Sequence, residues 1–274
     1  MKDIKQRLGF GTLLVSAIVG LFLLDRDYVP GSAMLVLGLL ALAAQHEFYV
    51  MLANHGLAAR RTLGLVFGAI TLAAAWWLDA TYALPLIVAM LVLLLLIEIL
   101  NRKPEGAPSR IGTTLLGWLV VPLLLSSAVH IRAFETDGWD WLMMLIVCCK
   151  AGDSSAYFVG SAFGKHKLIP EVSPNKSWEG AIASVFGALI GGALVMEWAF
   201  GGRIAASVWI PAALITNLGA QFGDLAESLL KRGCKTKDSA TAVPAFGGTF
   251  DMVDSFLIAA PALHGYLLLT VYSS

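Results

Sequence analysis

Residues 207–271 read SVWIPAALITNLGAQFGDLAESLLKRGCKTKDSATAVPAFGGTFDMVDSFLIAAPALHGYLLLTV. Two apolar runs of membrane-spanning length, near 207–230 and 251–271, enclose a polar stretch. From Asp224 to Asp254 that stretch holds five carboxylates (Asp224, Glu227, Asp238, Asp251, Asp254) and four cations (Lys231, Arg232, Lys235, Lys237). Charge at membrane depth is costly, so such a density needs a wet cavity, a set of partners or a ligand. Carboxylates able to hold a divalent metal, beside cations able to hold phosphates, point to a ligand.

The rest of the chain agrees with a membrane setting. It is 58% hydrophobic and 14% charged, with a mean hydropathy of +0.76. Soluble domains carry about 25% charged residues. Net charge is zero, which gives no bulk electrostatic case for binding nucleic acid. Cys148, Cys149 and Cys234 have no metal-ligand spacing and read as free thiols. The start, MKDIKQRLGFGTLLVSAIVGLFLL, has the basic head and short apolar core of a signal peptide. No small-x-small cleavage site follows, so a first transmembrane helix is the preferred reading.

Apolar runs near 9–24, 31–52, 62–78, 83–100, 111–131, 139–163, 178–200, 207–230 and 251–271 predict an all-α integral membrane protein of about nine spans. With the N-terminus inside, fifteen Lys and Arg fall in inside segments, against Arg26, Arg132 and Arg203 outside. That bias sets the orientation: polar loops cytoplasmic, C-terminus outside. The expected organisation is one polytopic domain over 1–274, with N-terminal helices over 1–135 and a catalytic half over 136–274. Gln45-His46-Glu47 in the second span reads as a packing or interfacial cluster.

Three constellations carry chemistry. Asp224, Glu227, Ser228, Lys231 and Arg232 follow i, i+3, i+4, i+7, i+8 spacing and share one helix face. A salt-bridge stripe that fixes packing would look the same. Gly233, Pro244, Gly247 and Gly248 keep the following segment irregular, which is tolerated near a membrane where it lines a cavity. Asp251 and Asp254 then open the last span at i, i+3. If the last two spans pack at their cytoplasmic ends, Asp224 and Asp251 can face each other as hard ligands for Mg²⁺, completed by substrate phosphate and water. A further polar cluster comprises Lys150, Asp153, Lys165, Lys167 and SPNKSWEG (173–180). Lys150 and Asp153 read as a neutralising pair. Ser177 reads as an N-cap with Glu179 in the first turn, and Lys165, Lys167 and Lys176 as cations available to lipid phosphate or nucleotide.

The pattern Ser228-Leu-Leu-Lys231-Arg232, Lys237-Asp238, Pro244, Gly247-Gly248, Asp251, Asp254 resembles the signature of the phosphatidate cytidylyltransferases, or CDP-diacylglycerol synthases. GDSSAYFVGSAFGKHKLIPEVSPNKSWEG, upstream, resembles that family's second conserved stretch. The resemblance implies a catalyst that uses CTP, phosphatidate and Mg²⁺ to make CDP-diacylglycerol and pyrophosphate. It implies Asp224 and Asp251 as metal ligands, and Ser228, Lys231, Arg232, Lys237, Asp238 and Asp254 as the catalytic and nucleotide group. Lys176, with Ser173, Asn175, Ser177, Asp153 and Lys167, is the implied phosphate-binding group, and a homodimer is implied as well. Where the family has Pro-Gly-His-Gly-Gly and Asp-Arg, this chain has Pro244-Ala245-Phe246-Gly247-Gly248 and Asp251-Met252. A different lipid phosphate, an ion-coupled transporter built on the buried Asp and Lys groups, or an inactive paralogue are the alternatives at this stage.

Overall fold

The computed structural model describes residues 20, 24–25, 28–29, 31–78, 80–236 and 248–272. The expected first span falls almost entirely outside them. So do Lys237, Asp238 and Phe246 of the polar stretch.

The chain forms helices α1 (Ser32–Asn54), α2 (Arg61–Trp77), α3 (Ala83–Asn101), α4 (Ala107–Trp118), α5 (Leu124–Ala133), α6 (Gly138–Phe163), α7 (Trp178–Trp198), α8 (Ala206–Gly233) and α9 (Thr249–Thr270). One π turn, Leu119–Leu123, joins α4 and α5 into a single rod. Pro122 lies in that turn, where its missing N–H and bulky ring favour a widened helix. Among the described residues, six helices are long and apolar enough to cross a membrane: α1, α3, the α4–α5 rod, α6, α7 and α9. The chain is accordingly an integral, multi-pass membrane protein. Large apolar side chains such as Leu35, Leu39, Leu84, Phe186 and Ile190 stand exposed around the bundle, as lipid contact requires.

The all-α expectation needs one correction. Lys167–Ile169 (β1) and Ser173–Ser177 (β2) form a two-stranded antiparallel hairpin between α6 and α7, with Lys167 opposite Ser177 and Ile169 opposite Ser173. Ser177 then caps α7, accepting the Gly180 N–H at 3.2 Å, as its sequence position predicts.

Polar links fall into two sets at opposite ends of the bundle. At one end Glu98 sits between Arg60 (2.5 Å) and Arg110 (2.8 Å), bringing together the starts of α2 and α4 and the end of α3. At the other end Arg132 holds Asp25 at 2.7 Å, Arg203 holds Asp137 at 2.9 Å, and the Tyr272 hydroxyl donates to the Thr136 carbonyl. A buried core runs from α1 through α5 to α9, and a smaller one (Phe67, Met90, Leu94, Trp118) ties α2, α3 and α4 together.

Close approach of α8 and α9 depends on two glycines. A Cβ on Gly219 would lie 2.6 Å from Ala259 Cα, and one on Gly223 would lie 2.4 Å from the Asp254 carbonyl oxygen. Small residues at such crossings let helix backbones touch inside a membrane. Gly219→Ala should therefore destabilise the protein by about 1–3 kcal/mol. Gly265→Ala, where the added methyl meets open space, should be neutral or mildly stabilising. Thermal unfolding of both variants in detergent checks the pair.

Candidate active site

Four helix termini meet at one end of the bundle: the last turns of α6 and α8 and the first turns of α7 and α9. α6 packs along α7, and α8 packs against both α7 and α9. Asp224 lies about 14 Å of helix before Gly233, at 1.5 Å per residue. The polar face of α8 therefore reaches well into the bundle instead of stopping at its rim.

At that depth three carboxylates converge. Oxygens of Asp224 and Glu227 on α8 and Asp254 on α9 all lie within 4.8 Å of one another. Opposite corners of a Mg²⁺ octahedron are about 4.2 Å apart, so small side-chain adjustments would let one ion reach all three. Gly223 brings the Asp254 backbone alongside α8, so the glycine next to Asp224 sets the distance across which the trio meets.

Three ammonium groups surround the trio. Lys231 Nζ lies 2.6 Å from Glu227 and 2.8 Å from Asp251, bridging α8 to α9. Lys176 Nζ, on β2, lies 2.7 Å from Asp224 Oδ2. Lys150 Nζ, on α6, donates to the Ser255 hydroxyl at 3.2 Å, lies 3.5 Å from Asp153 and sits over the Phe256 ring. Carboxylates and cations alternate through the cluster, as charges taken out of water must.

The start of α9 is fixed from both sides. Asp251 folds back to accept the Gly248 N–H at 2.7 Å, satisfying one of the free donors that every helix start carries. Glu47, on α1, accepts from the Thr249 hydroxyl at 2.6 Å and the Phe250 N–H at 3.0 Å. Its negative charge also suits the positive end of the α9 dipole. Phe48 packs on Phe250, ring centres 5.1 Å apart, and seals the joint.

The expected site residues separate accordingly. Asp224 meets Asp254 and Glu227. Asp251, expected opposite Asp224, is not among the three mutually converging carboxylates but adjoins one of them, Glu227, and is held by Lys231 and the Gly248 N–H. The physical reason is depth: Asp251 sits in the first turn, where its carboxylate is drawn to the free backbone donors, and Asp254 lies one turn further in. Ser228 stands 3.5 Å from Asp224, and Lys231 and Lys176 are in the cluster. Asp153 adjoins through Lys150. Arg232 is turned away, donating to the Thr236 carbonyl at the helix end. Ser177 is engaged as a helix cap, and Ser173, Asn175 and Lys167 lie on the hairpin, with Asn175 and Lys167 exposed. Lys237 and Asp238 lie outside the described residues.

Sequence reasoning had treated Glu227 as part of a face and Lys150 as half of a local pair. The i, i+3 spacing from Asp224 was the available signal for Glu227. Nothing local signals the reach of Lys150 across to α9.

The sequence model of the cytidylyltransferase family matches residues 5–270. A phosphatidate cytidylyltransferase of Bacillus subtilis (strain 168) is 36% identical over 188 residues, covering 66% of each chain. One of Brucella abortus biovar 1 (strain 9-941) is 39% identical over 136 residues, 49% of each chain. One of Mycobacterium bovis (strain ATCC BAA-935 / AF2122/97) is 28% identical over 278 residues, 96% of this chain and 86% of that protein. The matched region thus spans about half of the Brucella relative and 66% of the Bacillus one.

Removing Lys231 would leave Glu227 and Asp251 without their shared counterion. Lys231→Met should cost roughly 3–5 kcal/mol of stability, as for other buried pairs broken from one side. Adding Glu227→Gln should restore much of that loss. Melting temperatures of the single and double variants in detergent test it.

Proposed function

The chain belongs to the cytidylyltransferase family, and on that premise we propose that it transfers the CMP group of CTP to phosphatidate, giving CDP-diacylglycerol and pyrophosphate. The observation that carries this reading is the convergence of Asp224, Glu227 and Asp254 at one bundle end, ringed by Lys150, Lys176 and Lys231. Hard oxygen ligands beside ammonium groups suit a metal-nucleotide substrate. In the proposed reaction a phosphate oxygen of phosphatidate attacks the α-phosphorus of CTP. The bond from that phosphorus to the pyrophosphate bridging oxygen breaks, and pyrophosphate leaves.

Asp224 and Asp254, with Glu227 beside them, would hold Mg²⁺, which when bound supplies neutralisation of the triphosphate charge. Asp251 keeps Lys231 oriented toward the cluster. Lys176 and Lys231 are the proposed partners of the phosphates, and Ser228 orients Asp224. Lys150 keeps Asp153 and the α9 start in place. Arg232, Lys237 and Asp238 complete the nucleotide site from the loop side, and Ser173, Asn175 and Lys167 meet phosphate from the hairpin. Depth serves this chemistry, because the phosphate of a membrane lipid can reach the cluster without leaving the bilayer.

The proposed topology has nine spans in a single polytopic domain, N-terminal helices over 1–135 and catalytic half over 136–274. The N-terminus is cytoplasmic, where CTP is available, and the C-terminus lies outside. The separation of polar links into two sets supports this alternation. The protein is proposed to reside in the inner membrane, if its source is bacterial, and to act as a homodimer.

Purified protein given CTP, Mg²⁺ and phosphatidate should release pyrophosphate and form CDP-lipid; folded protein that yields neither would sink the enzyme reading. Asp224→Asn and Asp254→Asn should each lower kcat by roughly 10²-fold or more, the scale seen when one charge-stabilising group is removed. A reporter fused after Ser274 should register outside the cytoplasm, and a cytoplasmic signal would overturn the nine-span topology.

A further inference from the structure

The three lysines at the cluster are not held alike. Lys231 is gripped by two carboxylates, and its side chain is 13% exposed. It shares α8 with Glu227 and ties that helix to α9. Lys150 pairs with Asp153 at 3.5 Å, donates to the Ser255 hydroxyl and sits over the Phe256 ring, and none of its ion pairs is with the trio. Lys176 differs from both. Its one ion-pair partner among the described residues is Asp224, a member of the trio, at 2.7 Å, and both groups are partly exposed, with side-chain exposures of 23% and 36%. It arrives on a short two-stranded hairpin, not on a packed helix.

We propose that Lys176 is an exchangeable counterion: it neutralises Asp224 in the substrate-free protein and is handed to the nucleotide phosphates when a divalent cation takes that carboxylate. The inference rests on the metal reading given above for Asp224, Glu227 and Asp254. The chemistry follows from charge. Asp224 carries one negative charge, and an ammonium and a divalent cation gathered on the same carboxylate repel each other. A divalent cation coordinated by three carboxylates displaces a monovalent group held by one. The released ammonium needs an anion, and the triphosphate supplies it within reach of the same cleft. Metal binding then prepares the phosphate site, and by linkage phosphate binding stabilises the metal-loaded arrangement. Lys231 stays in place because its departure would strip two carboxylates at once.

This arrangement predicts opposite shifts for two ligands. Mn²⁺ alone is titrated into detergent-solubilised protein by electron paramagnetic resonance, counting the sites lost in Asp254→Asn. CTP is then titrated in saturating Mn²⁺ without lipid, so that no turnover occurs. Lys176→Met should bind Mn²⁺ about two- to fivefold more tightly than wild type, the scale of releasing one exposed ion pair. It should bind CTP roughly tenfold more weakly, as expected for loss of one charge-assisted contact. Lys176→Arg keeps the competing charge and should hold Mn²⁺ affinity within about twofold of wild type. A lysine that merely supports the fold would weaken both ligands or neither. Unchanged or weaker Mn²⁺ binding in Lys176→Met overturns the exchange, as does unchanged CTP binding. Absence of any Asp254-dependent Mn²⁺ site in wild type overturns the metal reading itself, and the exchange with it.

Discussion

A carboxylate inside an apolar slab must have a positive partner within reach, and the architecture of this protein follows from meeting that constraint. Glu98 sits between two arginines, Asp25 meets Arg132, and Lys231 serves Glu227 and Asp251 together. Glu47 meets the positive end of a helix instead of a side chain. All of these pairings except Lys231–Glu227, which lies within α8, join different segments, so they fix packing as well as charge. In a membrane the usual hydrophobic drive between helices is missing, and such links, with close glycine contacts, take over the task of specifying which helix lies beside which. The acidic trio is the place where the compensation is least complete. Its Asp224 is matched by a partly exposed lysine from a hairpin.

The helices were legible because a bilayer demands long apolar runs: eight of the nine expected runs coincide with described helices, and six helices among the described residues are long and apolar enough to cross a membrane. The cap at Ser177 was legible because capping is local: the residue, the first turn and the acidic Glu179 lie within a few positions. The hairpin was not. Its strands are short, polar and interrupted by Pro174, with none of the β-branched alternation that marks a strand. It is held by its neighbours, including His166, which pairs with Glu179 at 2.7 Å.

Within the site, the sequence reading sets Asp251 opposite Asp224, whereas the α9 carboxylate that converges with Asp224 in the structure is Asp254. Periodicity places both on one face; it does not register the pull of free helix-start donors on the first of them. Glu47 shows the same boundary more sharply. As part of Gln45-His46-Glu47 it reads as a packing cluster, and Gln45 does behave that way, bonding to the Gly64 carbonyl. Glu47 instead caps a helix 202 residues away, a relation with no local trace. Met252, which stands where the related signature has arginine, is half-buried between Asp251 and Val253. At that position no charge is offered to the cluster, which places more weight on Lys176 and Lys231.

The joint between Glu47 and the start of α9 also has a meaning in time. A chain threaded into a membrane from its N-terminus inserts α1 early and α9 last. Until α9 arrives, Glu47 has no helix end to cap, and Glu227 has Lys231 but lacks the Asp251 that completes the bridge. The acidic cluster therefore cannot form in a chain that lacks α9. Assembly of the cluster thus reports that α9 has joined α1 and α8.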